Sequence, residues 1–286
     1  MGDILVIVVT WNAMTWIERC LGSVRDSSVK ADILVVDNGS SDGTREYIQS
    51  TFPNAILIVN DNNVGFGAAN NIGFNYAIKH GYKFTYLLNQ DAWLCKDCLK
   101  TMIASIRTGY GILSPMQTDA KGRLDRNFKK QCGKYLSVEK DSEVVTVPFV
   151  MAAHWLVPTA TIKIVGGFSP AFTQYGEDDN YINRLHFHGL KCGVVTAATA
   201  IHDRSERPSD KEKRMRLKCI STIVRLSNPN SSFTLQRIIT PLRLLGISIK
   251  NCSTSPLAFL PKLWEKMPVI RKARKESKSQ GAFLRT

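Results

Sequence analysis

Apolar positions fall into two alternating kinds of grouping along the first ninety or so residues. Ile4-Leu5-Val6-Ile7-Val8-Val9, Ile33-Leu34-Val35-Val36, 55–59 and 84–88 are short apolar runs, the first two unbroken and rich in β-branched side chains. Such runs read as parallel strands buried on both faces. Between them apolar residues recur at helical spacing: Trp16, Ile17, Cys20, Leu21 and Val24 within 14–25, a short segment at 44–51, and the segment 65–81. Strand and helix alternating in this way predict an α/β fold with a doubly wound parallel sheet. Ligands bind such sheets beyond the carboxyl ends of the strands. Three polar clusters stand at those ends: Thr10-Trp11-Asn12, Asp37-Asn38 and Asn89-Gln90-Asp91.

After Asp91 the alternation weakens. The pattern predicts a helix over 97–107, a strand at 111–114 and a strand-like stretch over 147–157. The polar, basic residues 117–145 read as a loop or irregular hairpin. Tyr181, Ile182, Leu185 and His188 give the segment from Glu177 helical spacing. Further helical segments are predicted at 210–226 and 234–250, where Pro241 is expected to interrupt or begin a helix. Pro256, Pro261 and Pro268 break up the remainder of the chain, and 271–286 is expected to fray.

Composition narrows the class. At 286 residues, 44% hydrophobic and 22% charged, the chain is ordinary for a globular protein with one large domain and an appendage. Its seven cysteines lack framework spacing, which fits reduced thiols in a cytosolic setting. Cys95-Lys96-Asp97-Cys98 has no second pair to complete a zinc site and reads as two incidental thiols. The first apolar run is too short for a signal-peptide core, and no stretch approaches the roughly 20 apolar residues of a membrane span. A cytoplasmic location is therefore expected.

The net charge of +14 is unevenly distributed. Residues 204–286 carry 19 of the 38 Lys and Arg but only 5 of the 24 acidic residues. Such a field favours phosphates, anionic headgroups or nucleic acid. No nucleic-acid motif accompanies it, so nucleic acid is not an expected partner. Leu257, Phe259, Leu260, Leu263 and Trp264 stand beside Lys262, Lys266, Arg271, Lys272, Arg274 and Lys275, a composition suited to an interfacial segment on an anionic membrane.

The candidate chemistry rests on two carboxylate positions. Asp91 closes Tyr86-Leu87-Leu88-Asn89-Gln90-Asp91, and a carboxylate at a strand end can hold a hard divalent cation. Glu177-Asp178-Asp179 comes after Gly166-Gly167-Phe168 and Tyr175-Gly176, and a carboxylate there could deprotonate a nucleophile. Asp37 and Asn38 open a turn-rich loop, Asp37 to Thr44, that serves either a pyrimidine ring or a helix start capped by Asp42. Asn63-Val64-Gly65-Phe66-Gly67-Ala68-Ala69-Asn70-Asn71 comes after the third strand, not the first, so a dinucleotide site is not expected there. Its backbone amides could face a phosphate, or its small residues could serve close helix packing.

Together, residues 9–12, 35–44, 63–71, 87–91 and 166–179 resemble, in order, the motifs of family 2 glycosyltransferases of the GT-A fold. The nearest flavour is the rhamnosyltransferase-type enzymes of bacterial surface-polysaccharide synthesis. The resemblance implies a GT-A domain over 1–205 and a basic helical region over 206–286. It implies that Thr10, Asn12, Asp37 and Asn38 line a base and ribose pocket, and that Asn63, Gly65 and Asn70 border the nucleotide. Asn89-Gln90-Asp91 takes the DxD position, with Asp91 holding Mn²⁺ or Mg²⁺ on the diphosphate. Asp178 matches the base, and His202 stands where some members place a further metal or phosphate contact. Arg204, Arg207 and Lys211 could add positive charge, Glu177 and Asp179 could orient Asp178 or cap its helix, and His154-Trp155 could form an acceptor wall or pack in the core. Three departures stand out: Asn38 replaces the second of two aspartates, Asn89 the first Asp of DxD, and Asn180 a frequent Asp.

The resulting expectation is an inverting, metal-dependent glycosyltransferase. Its donor would be a dTDP- or UDP-sugar and its acceptor a lipid-linked saccharide, met at the inner face of the cell membrane. A sugar-nucleotide nucleotidyltransferase shares the layout, but Thr10-Trp11-Asn12 stands where its Gly-rich, Arg-containing loop would be. A non-catalytic nucleotide- or membrane-binding module is disfavoured by the intact Asp91 and Asp178.

Overall fold

The computed structural model describes residues 2–139, 142–203 and 211–284. The strands β1 (Ile4–Thr10), β2 (Asp32–Asp37), β3 (Ile56–Val59) and β4 (Phe84–Asn89) alternate with α1 (Ile17–Arg25), α2 (Thr44–Thr51) and α3 (Phe66–Lys79). Then come β5 (Ala92–Leu94), α4 (Cys98–Ala104), β6 (Tyr110–Thr118), α5 (Arg126–Val138), β7 (Val144–Val147), β8 (His154–Pro158), α6 (Thr159–Val165), α7 (Glu177–Phe187) and β9 (Lys191–His202). Among the described residues nine strands form one sheet, ordered β3-β2-β1-β4-β8-β6-β9-β5, with β7 added against β9.

The expected α/β architecture holds. The first four strands are all parallel. Beyond them the sheet is mixed: β8 is antiparallel to β4 and β6, while β6 and β9 are parallel. The unbroken apolar runs reflect burial on both faces. Leu5, Ile7, Leu34 and Val36 pack with Phe74 and Ala77 of α3, whereas Val6, Val8 and Val35 pack with Leu21, Leu99 and Met102 of α1 and α4. Successive strand residues point to opposite faces, so both alternating sets must be apolar. Thr10 pairs with Asp37, and Val9 with Asn89, which brings three strand ends to one edge.

Two middle segments differ from expectation. Within 117–145, β6 extends to Thr118, and α5 starts with Asp125 as its cap, accepting from the amides of Asn127 and Phe128. Only a narrow stripe of α5, chiefly Phe128 and Cys132, is buried, so its sequence looks like a polar loop. Within 147–157, regular strand begins only at His154; Met151-Ala152-Ala153 is irregular and reaches a cavity at the sheet edge.

The carboxyl-terminal helices are α8 (Lys211–Ser227), α9 (Phe233–Asn251), α10 (Ser255–Glu265) and α11 (Met267–Glu276). They share a separate core built on Leu226, Leu244, Leu263 and Ile270. Pro241 and Pro261 lie inside helices, while Pro256 and Pro268 occupy first turns, where no amide donor is needed. The expected fraying of 271–286 is corrected for the described part. Helix α11 continues to Glu276, the Gly167 amide donates to Ala282 O at 2.7 Å, and the Gly281 amide donates to Ile164 O at 3.1 Å. Gly166 permits this approach: at φ 89°, a Cβ there would stand 1.8 Å from Ala282 O. No helix among the described residues is long and apolar enough to cross a membrane.

Candidate active site

A cavity of about 640 Å³ opens beyond the carboxyl ends of β1, β2 and β4, a size suited to a small-molecule ligand. Asn38, Asn63, Gly65, Asn89, Asp91, Glu177 and Asp178 all line it. One wall is a network of amides. Asn60 Nδ2 donates to Asn38 Oδ1 at 2.9 Å, Asn38 Nδ2 donates to Asn63 Oδ1 at 3.3 Å, and the Gly65 amide donates to Asn63 Oδ1 at 2.9 Å. Gly65 adopts φ 89°, and a Cβ on it would lie 2.3 Å from Thr173 O, so only glycine lets the two walls meet.

Four residues expected to touch the ligand do not line the cavity; they shape its turns. The buried Asp37 carboxylate accepts from Thr10 Oγ1 (2.8 Å), the Ser40 amide (2.9 Å) and Ser40 Oγ (2.5 Å). Asn12 Oδ1 accepts from the Ser41 amide at 2.9 Å, and Asn70 Nδ2 donates to Phe66 O at 2.9 Å, inside its own helix. The cavity instead receives Trp11, 54% exposed, whose backbone is clasped from both sides by the Gln90 amide. A flat aromatic face at this wall suits a base or sugar ring. Strand alternation accounts for the exchange: Val9 and Trp11 face the cavity and Thr10 turns away.

Trp155 is not an acceptor wall. It is fully buried, stacks on Phe168 with centroids 6.2 Å apart, and donates its indole N–H to Val150 O. His154 is buried as well. Its Nε2 lies 3.0 Å from Ile201 O, which can only accept, so Nδ1 is left to accept from the Tyr86 hydroxyl at 3.0 Å. Burial, and next the neighbouring His202, push the His154 pKa down to about 3, so its imidazole is neutral.

Asp91 sits in the β4–β5 turn and is 2% exposed. The pairing of Ala92 with His202 brings β9 alongside, and His202 Nε2 lies 3.5 Å from Asp91 Oδ1. No group of three or more His, Cys, Asp or Glu side chains able to hold a metal exists among the described residues. Asp91 lines the cavity, whereas His202 is fully buried behind it and does not reach the lining. The carboxylate and imidazole are nonetheless donor types compatible with a divalent ion that completes its shell with ligand oxygens.

The opposite wall is the start of α7. Gly176 is its left-handed cap; a Cβ there would press within 3.0 Å of Val224, Ile220 and Phe172, so glycine lets α8 close on this helix end. Asp178 Oδ1 accepts from the Asp179 amide at 2.9 Å. Glu177 is 8% exposed, and its Oε2 has no hydrogen-bond partner. Burial, and after it the Asp178 charge, pushes its carboxyl from 4.5 up to about 8. The helix dipole favours an anion here by only about 0.3–1 kcal/mol, so desolvation wins and Glu177 is mostly neutral at pH 7.

Arg204 and Arg207 lie outside the described residues. The cation among the described lining residues is Arg216 of α8, whose Nη2 lies 3.5 Å from Gln174 Oε1. Beside it, Lys213 Nζ stands 5.4 Å from the Tyr175 ring centroid. Arg216 escaped sequence reasoning because it is one of many cations in a basic helix. Asn71 was likewise not singled out: it donates to Phe168 O (2.9 Å) and accepts from the Phe168 amide (2.6 Å), latching α3 to the Gly166-Gly167-Phe168 turn.

Comparison with known proteins bears on the family and the fold. Residues 5–160 match the family described as Glycosyl transferase family 2. An undecaprenyl-phosphate mannosyltransferase of Micrococcus luteus is 27% identical over 108 residues, 37% of this chain and 44% of that protein. A GalNAc(5)-diNAcBac-PP-undecaprenol beta-1,3-glucosyltransferase of Campylobacter jejuni is 28% identical over 155 residues, 53% of this chain and 48% of that protein. The matched stretch thus spans less than half the length of either relative. The mannosyltransferase PcManGT from Pyrobaculum calidifontis, solved with GDP-Man and Mn²⁺, superposes with TM-score 0.57 at 16% identity over 97% of this chain and 87% of that one. S. aureus TarS 1–349, solved with UDP-GlcNAc, gives 0.56 at 18% identity over 96% and 79%. At such identities the structural likeness is one of fold.

Proposed function

The chain belongs to glycosyl transferase family 2 and has the GT-A fold, and from that premise we propose that it is an inverting, metal-dependent hexosyltransferase. It moves a sugar from a nucleoside diphosphate sugar to a hydroxyl of a lipid-linked saccharide in cell-surface polysaccharide synthesis. The observation that carries this reading is that Asp91 and Asp178, distant in sequence, line one cavity together with Asn38 and Asn63.

In this reading Trp11 offers a stacking face to the base, and Asn38 and Asn63 offer amide donors and acceptors to the nucleoside. Asp178 takes the proton of the acceptor hydroxyl as its oxygen attacks the anomeric carbon. The bond from that carbon to the diphosphate oxygen breaks, and the nucleoside diphosphate leaves with the electron pair. Arg216 faces the same space and can pair with phosphate oxygens. Asp91 and His202 would hold Mn²⁺ or Mg²⁺, which supplies charge neutralisation to the leaving diphosphate when bound. Single displacement inverts the anomeric centre.

The donor is a UDP- or dTDP-sugar. UDP-GlcNAc and GDP-Man occupy the fold neighbours, so the family of folds accepts more than one base. The two relatives' names, both containing undecaprenol or its phosphate, support a lipid-linked acceptor; in our reading it is met at the inner face of the membrane. Calorimetric titration with UDP, dTDP and GDP, with and without Mn²⁺, tests the donor site. Metal-dependent binding of one nucleotide, lost in Asp91→Ala, is the expected result. Absence of binding by all three would refute the site, and an axial-to-axial or equatorial-to-equatorial product by NMR would refute inversion.

A further inference from the structure

Helix α9 carries an apolar stripe that nothing in the described structure covers. Leu235, Ile238, Leu242, Leu245 and Ile249 are 52, 64, 67, 43 and 70% exposed. Their spacing of three and four residues places them in a band roughly 80° wide and about 21 Å long on one face of the helix. The opposite face is anchored: Thr240, Leu244 and Ser248 are buried, and Leu244 belongs to the core shared with α8, α10 and α11. The exposed band is therefore not a core face awaiting its own appendage.

The charges beside the band select its partner. Helix α9 contains Arg237, Arg243 and Lys250 and no acidic residue. The Arg237 guanidinium turns toward α10, 5.6 Å from the ring centroid of Trp264, itself 38% exposed. Two copies of α9 laid band to band would bring only like charges together. An anionic bilayer instead accepts the band among its acyl chains and the cations among its headgroups. With three basic residues in 19 and no spanning helix among the described residues, α9 would lie along the interface, not across it.

We propose that the band of Leu235, Ile238, Leu242, Leu245 and Ile249 is a membrane-docking face that seats α9 in the headgroup layer of an anionic lipid bilayer. It shifts weight from the expected segment at 257–264, where Leu263 is fully buried and Phe259 and Leu260 pack against the same core, although Leu257 and Trp264 stay 36 and 38% exposed. It deepens the membrane-associated reading of the proposed function, yet α9 lines no part of the cavity. The docked helix would still bear on the site, because α8 packs against both α9 and α7 and carries Arg216.

The test is flotation of the full chain with vesicles of phosphatidylglycerol and phosphatidylcholine, and with phosphatidylcholine alone. Wild type should float with the anionic vesicles only and dissociate as salt rises. Ile238→Ser/Leu242→Ser/Ile249→Ser should bind about a hundredfold more weakly, with unchanged circular dichroism and unchanged binding of nucleotide in solution. Arg237→Gln/Lys250→Gln should lose salt-sensitive binding. Equal flotation of wild type and the triple variant overturns the proposal. So does a lipid-free dimer in sedimentation that the triple variant abolishes, since the band would then be a contact between copies. Neither readout involves sugar transfer, so a failed donor assignment would leave this result standing, and the reverse.

Discussion

The guanidinium of Arg184 stands 5.0 Å from the ring centroid of Phe283, which ties the end of the described chain to the helix that begins at Glu177. Arg184 is fully buried, and its nitrogens donate to Val165 O (2.7 Å), Gly167 O (2.5 Å) and Asn180 Oδ1 (3.2 Å). Burial lowers its pKa to about 10, which still leaves it charged at neutral pH. Phe283→Ala opens this charge to water and removes a cation–π contact worth about 0.5–2 kcal/mol, so with lost packing the expected cost is about 1–3 kcal/mol. Urea unfolding measures it. A loss below about 0.5 kcal/mol would mean that the segment merely rests on the core.

Asp178→Asn keeps the shape of the side chain and removes the carboxylate proposed as the base. Turnover should fall by about 10² to 10⁴, while the affinity for nucleoside diphosphate stays within about twofold. Single-turnover kinetics with a saturating donor separate the two. A variant that retains wild-type turnover would assign the proton transfer elsewhere.

Glu177 predicts a pH-dependent stability of definite sign. Its folded pKa of about 8 lies above the ordinary 4.5. Between those values the unfolded chain has released a proton that the folded chain still holds, so stability falls as pH rises, and the contribution is gone above about pH 8. Glu177→Gln abolishes this slope. Denaturant melts of both proteins at about pH 5, 6.5 and 8 should show the variant gaining on wild type by up to about 1.4 kcal/mol per pH unit. Parallel curves would show that Glu177 is ionised in the fold.

How each feature is encoded decides whether the sequence makes it legible. Runs such as Ile4 to Val9 announce strands buried on both faces, and polar residues at their carboxyl ends announce the edge at which the cavity opens; Asn38, Asn89 and Asp91 are legible in this way as lining residues. Lining and supporting residues were confused because turns and ligands use the same side chains. Asp37 and Thr10 spend their oxygens on Ser40 and on each other, and only the register of β1 reveals that Trp11 points inward. Helix α5 buries too narrow a stripe for its period to emerge. The docking of Gly281 to Leu284 rests on backbone hydrogen bonds to Ile164 and Gly167, for which three apolar residues after a basic helix give no signal.

Arg216 is the residue that only tertiary structure could nominate, and its place at the cavity makes it a clean probe. Its hydrogen bond to Gln174 Oε1 is long, at 3.5 Å, and exposed, so its removal should leave folding unchanged. A charge-assisted hydrogen bond to phosphate contributes about 1.5–3 kcal/mol, so Arg216→Gln should weaken nucleoside diphosphate binding about 10- to 100-fold. Arg216→Lys should restore part of that loss, because it returns the charge without the planar fork. Calorimetry with the nucleotide decides between donor and acceptor. Unchanged nucleotide affinity with a raised acceptor KM would turn the guanidinium toward the acceptor, and no change in either would leave it a surface cation at the cavity mouth.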